Sequence, residues 1–121
     1  MSCLLVIDDD PQVRELVPKL AYAQVGSALR VLQASDLGEA GAICLAAPVG
    51  VVLCDYFMPE HDGPEVVRHL RSRFPRLRAM LMTGDASIVG QSRAEADVPV
   101  RDKADLEAVV REAAELALEG L

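Results

Sequence analysis

The sequence predicts an α/β fold: a doubly wound, five-stranded parallel sheet built from five β–α repeats. Three observations predict it. Short apolar runs alternate with longer stretches of helical periodicity along all 121 residues. The runs are near-continuous in Val, Leu, Ile and Met rather than alternating with polar residues, as strands covered on both faces are. Two of them stop abruptly at acidic residues: Leu4-Leu5-Val6-Ile7 at Asp8-Asp9-Asp10, and Val51-Val52-Leu53-Cys54 at Asp55. A carboxylate at the end of a buried strand is costly to desolvate unless something positive meets it.

Taken in order, the first strand is Cys3–Ile7, followed by a helix over Pro11–Val25. Asp10 is its N-cap and Pro11 its first residue, the position where a missing N–H does no harm. Pro18 lies inside that helix and is expected to weaken or kink it near Arg14, at about 3 kcal/mol if unrelieved. The second repeat is a strand over Arg30–Ala34 and a helix over Leu37–Ala46. The third is a strand over Gly50–Cys54 and a helix over Pro64–Phe74, stopped by Pro75. The fourth strand is Ala79–Met82. The helix after it, Ser87–Glu95, is short, contains Gly90, and has only Ile88 and Val89 as anchors. It is expected to be mobile or partly irregular. The fifth strand, Val98–Arg101, contains Pro99, which removes a ladder hydrogen bond and assigns the strand to a sheet edge. The last helix, Asp105–Glu119, carries Leu106, Val109, Val110, Ala113, Leu116 and Ala117 at helical spacing.

The length suits one domain over residues 1–121, which buries roughly two-thirds of its unfolded surface. Hydrophobic residues make up 51% but aromatics only 3%, so the core is aliphatic. A net charge of −7 argues against direct nucleic-acid binding and against an acidic membrane surface. Cys3, Cys44 and Cys54 are an odd count flanked by apolar residues and read as reduced core thiols of a cytoplasmic protein. No CxxC or Cys/His spacing suggests zinc. His61 and His69 read as surface residues without a metal-ligand partner at useful spacing. No signal peptide or membrane span is recognisable.

Open parallel α/β sheets bind ligands beyond the carboxyl ends of their strands, where strand order reverses. In a flavodoxin-type sheet, order 2-1-3-4-5, the reversal lies between the first and third strands. Asp8 and Asp9 end the first strand and Asp55 the third, so three carboxylates converge there. Asp10 is explained by capping alone. Carboxylate-rich, oxygen-only ligation with room for water suits Mg2+, or the similar Mn2+. Thr83 follows the fourth strand and Lys103 the fifth. A hydroxyl and an ammonium beside such a site suit a phosphoryl group, and an Asp carboxylate can accept phosphoryl covalently. Gly84 leaves open space and a free backbone N–H next to Thr83.

At this point the chain resembles a known family, the CheY-like receiver domains of the response regulators of bacterial two-component signalling. The matching residues are Val6-Ile7-Asp8-Asp9-Asp10-Pro11, then Asp55-Tyr56-Phe57-Met58-Pro59-Glu60-His61-Asp62-Gly63, then Met82-Thr83-Gly84, then Lys103. They occur in order across essentially the whole chain. The resemblance implies that Asp55 is the phosphoacceptor. Asp9, Asp55 and the backbone carbonyl of Phe57 would ligate Mg2+, and Asp8 would act largely through water. Thr83, the Gly84 backbone and Lys103 would contact the phosphoryl oxygens. The donor would be a phosphohistidine on a sensor histidine kinase or phosphotransfer protein, and the output a downstream protein target or a fused effector. Such a domain is a phosphorelay switch rather than an enzyme, assisting only its own phosphorylation and dephosphorylation.

The sequence departs from the family pattern in three places. Ala104 follows Lys103 where the family usually has a cis-turn proline, so the loop placing Lys103 is expected to be less constrained. Val100 stands where the family usually has Tyr or Phe, so an aromatic ring cannot couple to Thr83; a non-standard relay through the segment around Ser87–Glu95 is expected instead. Phe57, two residues past Asp55, offers a hydrolytic water no hydrogen bond, which predicts slow loss of phosphate. Two other functions compete. A pseudo-receiver would keep the fold as an interaction module without using phosphate. A Mg2+-dependent hydrolase with an aspartyl-phosphate intermediate would need a general acid where Phe57 stands.

Overall fold

The computed structural model describes residues 2–89 and 97–119. Five strands, β1 (Cys3–Ile7), β2 (Arg30–Ala34), β3 (Val49–Asp55), β4 (Arg78–Thr83) and β5 (Val100–Asp102), form one sheet. All pairings are parallel, and the order is β2-β1-β3-β4-β5. Four helices, α1 (Pro11–Val25), α2 (Leu37–Ala46), α3 (Gly63–Arg73) and α4 (Leu106–Glu119), cover it. This is the flavodoxin-like, CheY-like architecture expected from the sequence.

The sheet has two buried faces because its strands alternate between two cores. Leu5, Ile7, Val52, Cys54, Ala79 and Leu81 point to the side covered by α2 and α3. Leu4, Val6, Val51, Leu53, Met80 and Met82 point to the side covered by α1 and α4. A near-continuous apolar run is what two-sided burial demands. Cys3, Cys44 and Cys54 are buried and unpaired, as read from their neighbours. Among the described residues no helix is long and apolar enough to cross a membrane.

Helix α1 starts as expected, with Asp10 accepting a hydrogen bond from the Gln12 N–H. It continues through Pro18, the residue expected to weaken or kink it near Arg14, as one helix to Val25. Burial of Val17 and Ala21 on either side of the proline holds the helix against the sheet and α4, and packing outweighs one missing donor. The stretch Ser87–Glu95 differs from the expected helix as far as it is described: Ala86–Ile88 is a 3-10 turn capped by Asp85. Residues 90–96 lie outside the described part. β5 sits at the sheet edge as Pro99 required, but begins at Val100. Before it, the Pro99 carbonyl accepts from the Leu81 N–H at 2.9 Å, so the proline contributes the one ladder group it still has.

Candidate functional site

The register of the sheet assembles the site. Ile7 pairs with Cys54, so the next residues, Asp8 and Asp55, emerge side by side at the carboxyl edge. Each is held by a further backbone bond: the Asp8 N–H donates to the Ala34 carbonyl at 3.1 Å, and the Tyr56 N–H to the Met82 carbonyl at 2.8 Å. Thr83 lies one residue beyond Met82, the register partner of Asp55. Thr83 in turn pairs with Asp102, which precedes Lys103. Four sequence-distant segments therefore end at one place.

Asp8 is fully buried and Asp55 nearly so, while Asp9 is exposed. Carboxylate oxygens of the three lie within 4.8 Å of one another. The Lys103 ammonium stands 2.7 Å from Asp8 Oδ2 and 3.4 Å from Asp55 Oδ2. Asp8 Oδ1 accepts from the Asp10 N–H at 2.9 Å, whereas Oδ2 is buried with no partner but the lysine. Among the described residues, one lysine thus bridges two of the three clustered carboxylates. Burial raises the Asp55 pKa from 3.8 to about 6; the charges of Asp8 and Asp9 add to this and Lys103 only partly offsets it. Burial acts to lower the Lys103 pKa, but its hydrogen bond to Asp8 and the charges of both carboxylates outweigh that and raise it.

Thr83 is buried, and its Oγ1 accepts from the Asp85 N–H at 3.0 Å. Gly84 is exposed, and a Cβ built on it would meet nothing within 4 Å, which is the open space expected there. Val100 is buried against Leu81 in the sheet core. Phe57 is 55% exposed, its ring 4.9 Å from that of Tyr56.

Two contacts hold the loop that carries Lys103. Asp102 Oδ1 accepts from the Ala104 N–H at 2.9 Å and caps a 3-10 turn over Lys103–Asp105. One residue earlier, Arg101 grips Glu112 of α4 through two bonds of 2.8 and 3.0 Å. A side-chain cap and an ion pair hold this turn without a rigid residue in it.

Three positioning residues escaped the sequence reading. Asp102 is the first; an Asp just before a helical start is the signal for it. Arg14 is the second: its Nη1 donates to the backbone carbonyl of Asp8 at 2.7 Å, tying α1 to the end of β1. Gly63 is the third. A Cβ there would fall 2.7 Å from the Asp55 carbonyl oxygen and 2.8 Å from Leu81 Cδ2, while its N–H donates to the Tyr56 carbonyl at 2.7 Å. The absent side chain lets α3 start directly against the residue that follows β3. The two histidine rings lie 6.1 Å apart, and His61 Nδ1 is 3.2 Å from Glu65 Oε2.

Comparison with known proteins decides the family. Residues 4–97 match the response regulator receiver domain. The chain belongs to that family. This receiver domain is 32% identical over 83 residues to the hydrogenase transcriptional regulatory protein HoxA of Cupriavidus necator, a match covering 69% of the chain and 16% of HoxA. It is 33% identical over 87 residues to the photosynthetic apparatus regulatory protein RegA of Cereibacter sphaeroides, covering 72% of the chain and 45% of RegA. The receiver domain thus spans less than half of either relative. Among solved structures, the receiver domain of the putative response regulator NarL from Mycobacterium tuberculosis has a TM-score of 0.75 at 28% identity, over 99% of this chain and 98% of that one. The Thermotoga maritima response regulator TrrA, in complex with Mg2+ and BeF, has a TM-score of 0.77 at 22% identity, over 96% and 99%. At that identity the likeness speaks for the fold alone.

Proposed function

We propose that this receiver domain is a Mg2+-dependent phosphoacceptor in a two-component phosphorelay, with Asp55 as the phosphorylated residue. The observation that carries the reading is the charge arrangement: three carboxylates within 4.8 Å and one lysine across Asp8 and Asp55. The donor set is all oxygen, and Asp8 Oδ2 is buried without a second partner, so the residues fit a hard divalent cation. Asp9, Asp55 and the Phe57 carbonyl would hold Mg2+, with Asp8 reaching it through water. When bound, the ion supplies positive charge that shields the phosphoryl oxygens from the carboxylates.

The chain's own residues do the rest. An Asp55 carboxylate oxygen attacks the phosphorus of a phosphohistidine on a sensor histidine kinase or phosphotransfer protein. The new P–O bond forms as the P–N bond breaks, and the electron pair leaves with the imidazole. Lys103, released in part from Asp55 as that carboxylate becomes an acyl phosphate, pairs with a phosphoryl oxygen. Thr83 exchanges its bond with the Asp85 N–H for donation to another, and the Gly84 backbone N–H would donate to a phosphoryl oxygen as well. A downstream protein target or a fused effector reads the change.

A hydrolase reading lacks a proton donor two residues after Asp55, where Phe57 stands. A pseudo-receiver reading is favoured by one observation, the buried Val100 in place of a mobile ring. Incubation with acetyl phosphate and Mg2+, read by intact mass, separates the two. One phosphoryl group per chain, absent from Asp55→Asn, is expected. An unmodified wild-type chain sinks the phosphoacceptor reading.

A further inference from the structure

Outside the aspartate cluster, the strongest unexplained grouping is on α3. The chain has two histidines, and both stand at this helix. Glu65 and His69 are four residues apart within α3, the spacing that puts two ligands on one helical face. His61 precedes the N-cap Asp62 and folds back onto the same face. Its Nδ1 lies 3.2 Å from Glu65 Oε2, and its ring meets that of His69 edge-on at a centroid distance of 6.1 Å.

We propose that His61, Glu65 and His69 form a transition-metal site of the Zn2+ class, separate from the aspartate cluster. Two imidazoles and one carboxylate are a common ligand set for this ion, leaving the fourth position open to water or a partner's side chain. Nitrogen donors select against Mg2+ and for Zn2+, Ni2+ or Cu2+. Bond lengths of about 2.0–2.1 Å at a tetrahedral ion place two imidazole centroids roughly 5 Å apart, so the rings need to close by about 1 Å. Among the described residues the aspartates are the only group of three or more such side chains whose ligand atoms all lie within 4.8 Å of one another, so loading requires a rotamer change here. The side chains are free to make it: His61 is 40% and Glu65 45% exposed, and His69 is exposed. The proposal does not depend on phosphorylation of Asp55.

The test is a Zn2+ titration of the whole chain in saturating Mg2+, followed by calorimetry and by NMR of the histidine rings. Because no other histidines exist, the ring signals report this site alone. One ion per chain is expected, with both rings shifting together. His61→Gln and His69→Gln should each weaken binding at least about tenfold, since loss of even an outer-shell partner costs roughly 10- to 100-fold. Far-UV circular dichroism checks that the variants fold, and the wild-type ring signals decide the question if one does not. Unchanged binding in the double variant, a shift of one ring only, or loss of binding in Asp9→Asn would each overturn the proposal.

Discussion

Asp55 is a carboxylate whose surroundings oppose its charge. Burial and the neighbouring Asp8 lift its pKa to about 6 from 3.8. Between those values the folded chain keeps a proton that the unfolded chain has lost. More protons in the folded state mean that stability falls as pH rises through the window. The metal-free domain should therefore lose on the order of 2 kcal/mol between about pH 4 and pH 6 from this residue. Asp55→Asn has no such proton to lose. Urea unfolding in a chelator should show the variant gaining on the wild type as pH rises; parallel curves would refute the account. Under the proposed function, Phe57 bears on a different quantity, the lifetime of the phosphoryl group. It lies two residues past Asp55 with an exposed ring that offers no hydrogen bond to an approaching water. Phe57→Asn supplies one and should speed phosphate loss several-fold, measured by following phosphorylated protein over time after removal of the donor. An unchanged rate would place the water's path elsewhere.

At the scale of elements, strand ends and helix starts were legible where one residue type had a single reason to be there. Asp10-Pro11 announced α1, and the apolar run ending at Asp55 announced β3. Asp55 closes that strand rather than following it. What stayed illegible depended on contacts between elements. The cost of Pro18 within α1 is legible in the sequence but its compensation is not, because the packing of Val17 and Ala21 against sheet and α4 is a tertiary fact. Gly63 stood in the sequence only as a matching residue of the family motif, because only the approach of α3 to the Asp55 carbonyl gives it a purpose. The turn around Lys103 has a cap in Asp102 whose bond to the Ala104 N–H is not evident from Ala104 itself. That turn carries a prediction. Asp102→Ala removes the bond to the Ala104 N–H and should cost about 1 kcal/mol of stability, the usual worth of such a cap. It should also slow phosphorylation of Asp55 by acetyl phosphate while leaving Mg2+ affinity the same or higher, because Lys103, which competes with the ion, is displaced and the carboxylates are not. A parallel fall in Mg2+ affinity would show that the turn supports the whole site.

The whole molecule couples its fold to its charge. It carries a net charge of −7, and its most desolvated carboxylates share one lysine. The aspartates were visible in the sequence as the acidic ends of two buried strands; that Lys103 also neutralises Asp8 came only with the distances. A divalent cation at this point would stabilise the entire fold, because only the folded chain brings Asp8, Asp9 and Asp55 together. The gain is RT ln(1 + [L]/Kd), about 2.7 kcal/mol when the ion is at a hundred times its Kd. Lys103→Ala sharpens the expectation. Without the ammonium, Asp8 Oδ2 is buried and unpaired, so the metal-free variant should be less stable than the wild type by about 2–4 kcal/mol. The same loss removes a competing positive charge, so Mg2+ should stabilise the variant more than the wild type and bind it more tightly. General screening of the acidic surface is controlled by matching ionic strength with a monovalent salt, and by Asp9→Asn, which should lose most of the Mg2+ effect and keep the salt effect. Thermal unfolding of the three proteins with and without Mg2+ reads every arm. Equal Mg2+ stabilisation in wild type and Lys103→Ala would mean that lysine and metal occupy the site independently, against the 2.7 and 3.4 Å contacts that bind the lysine into it.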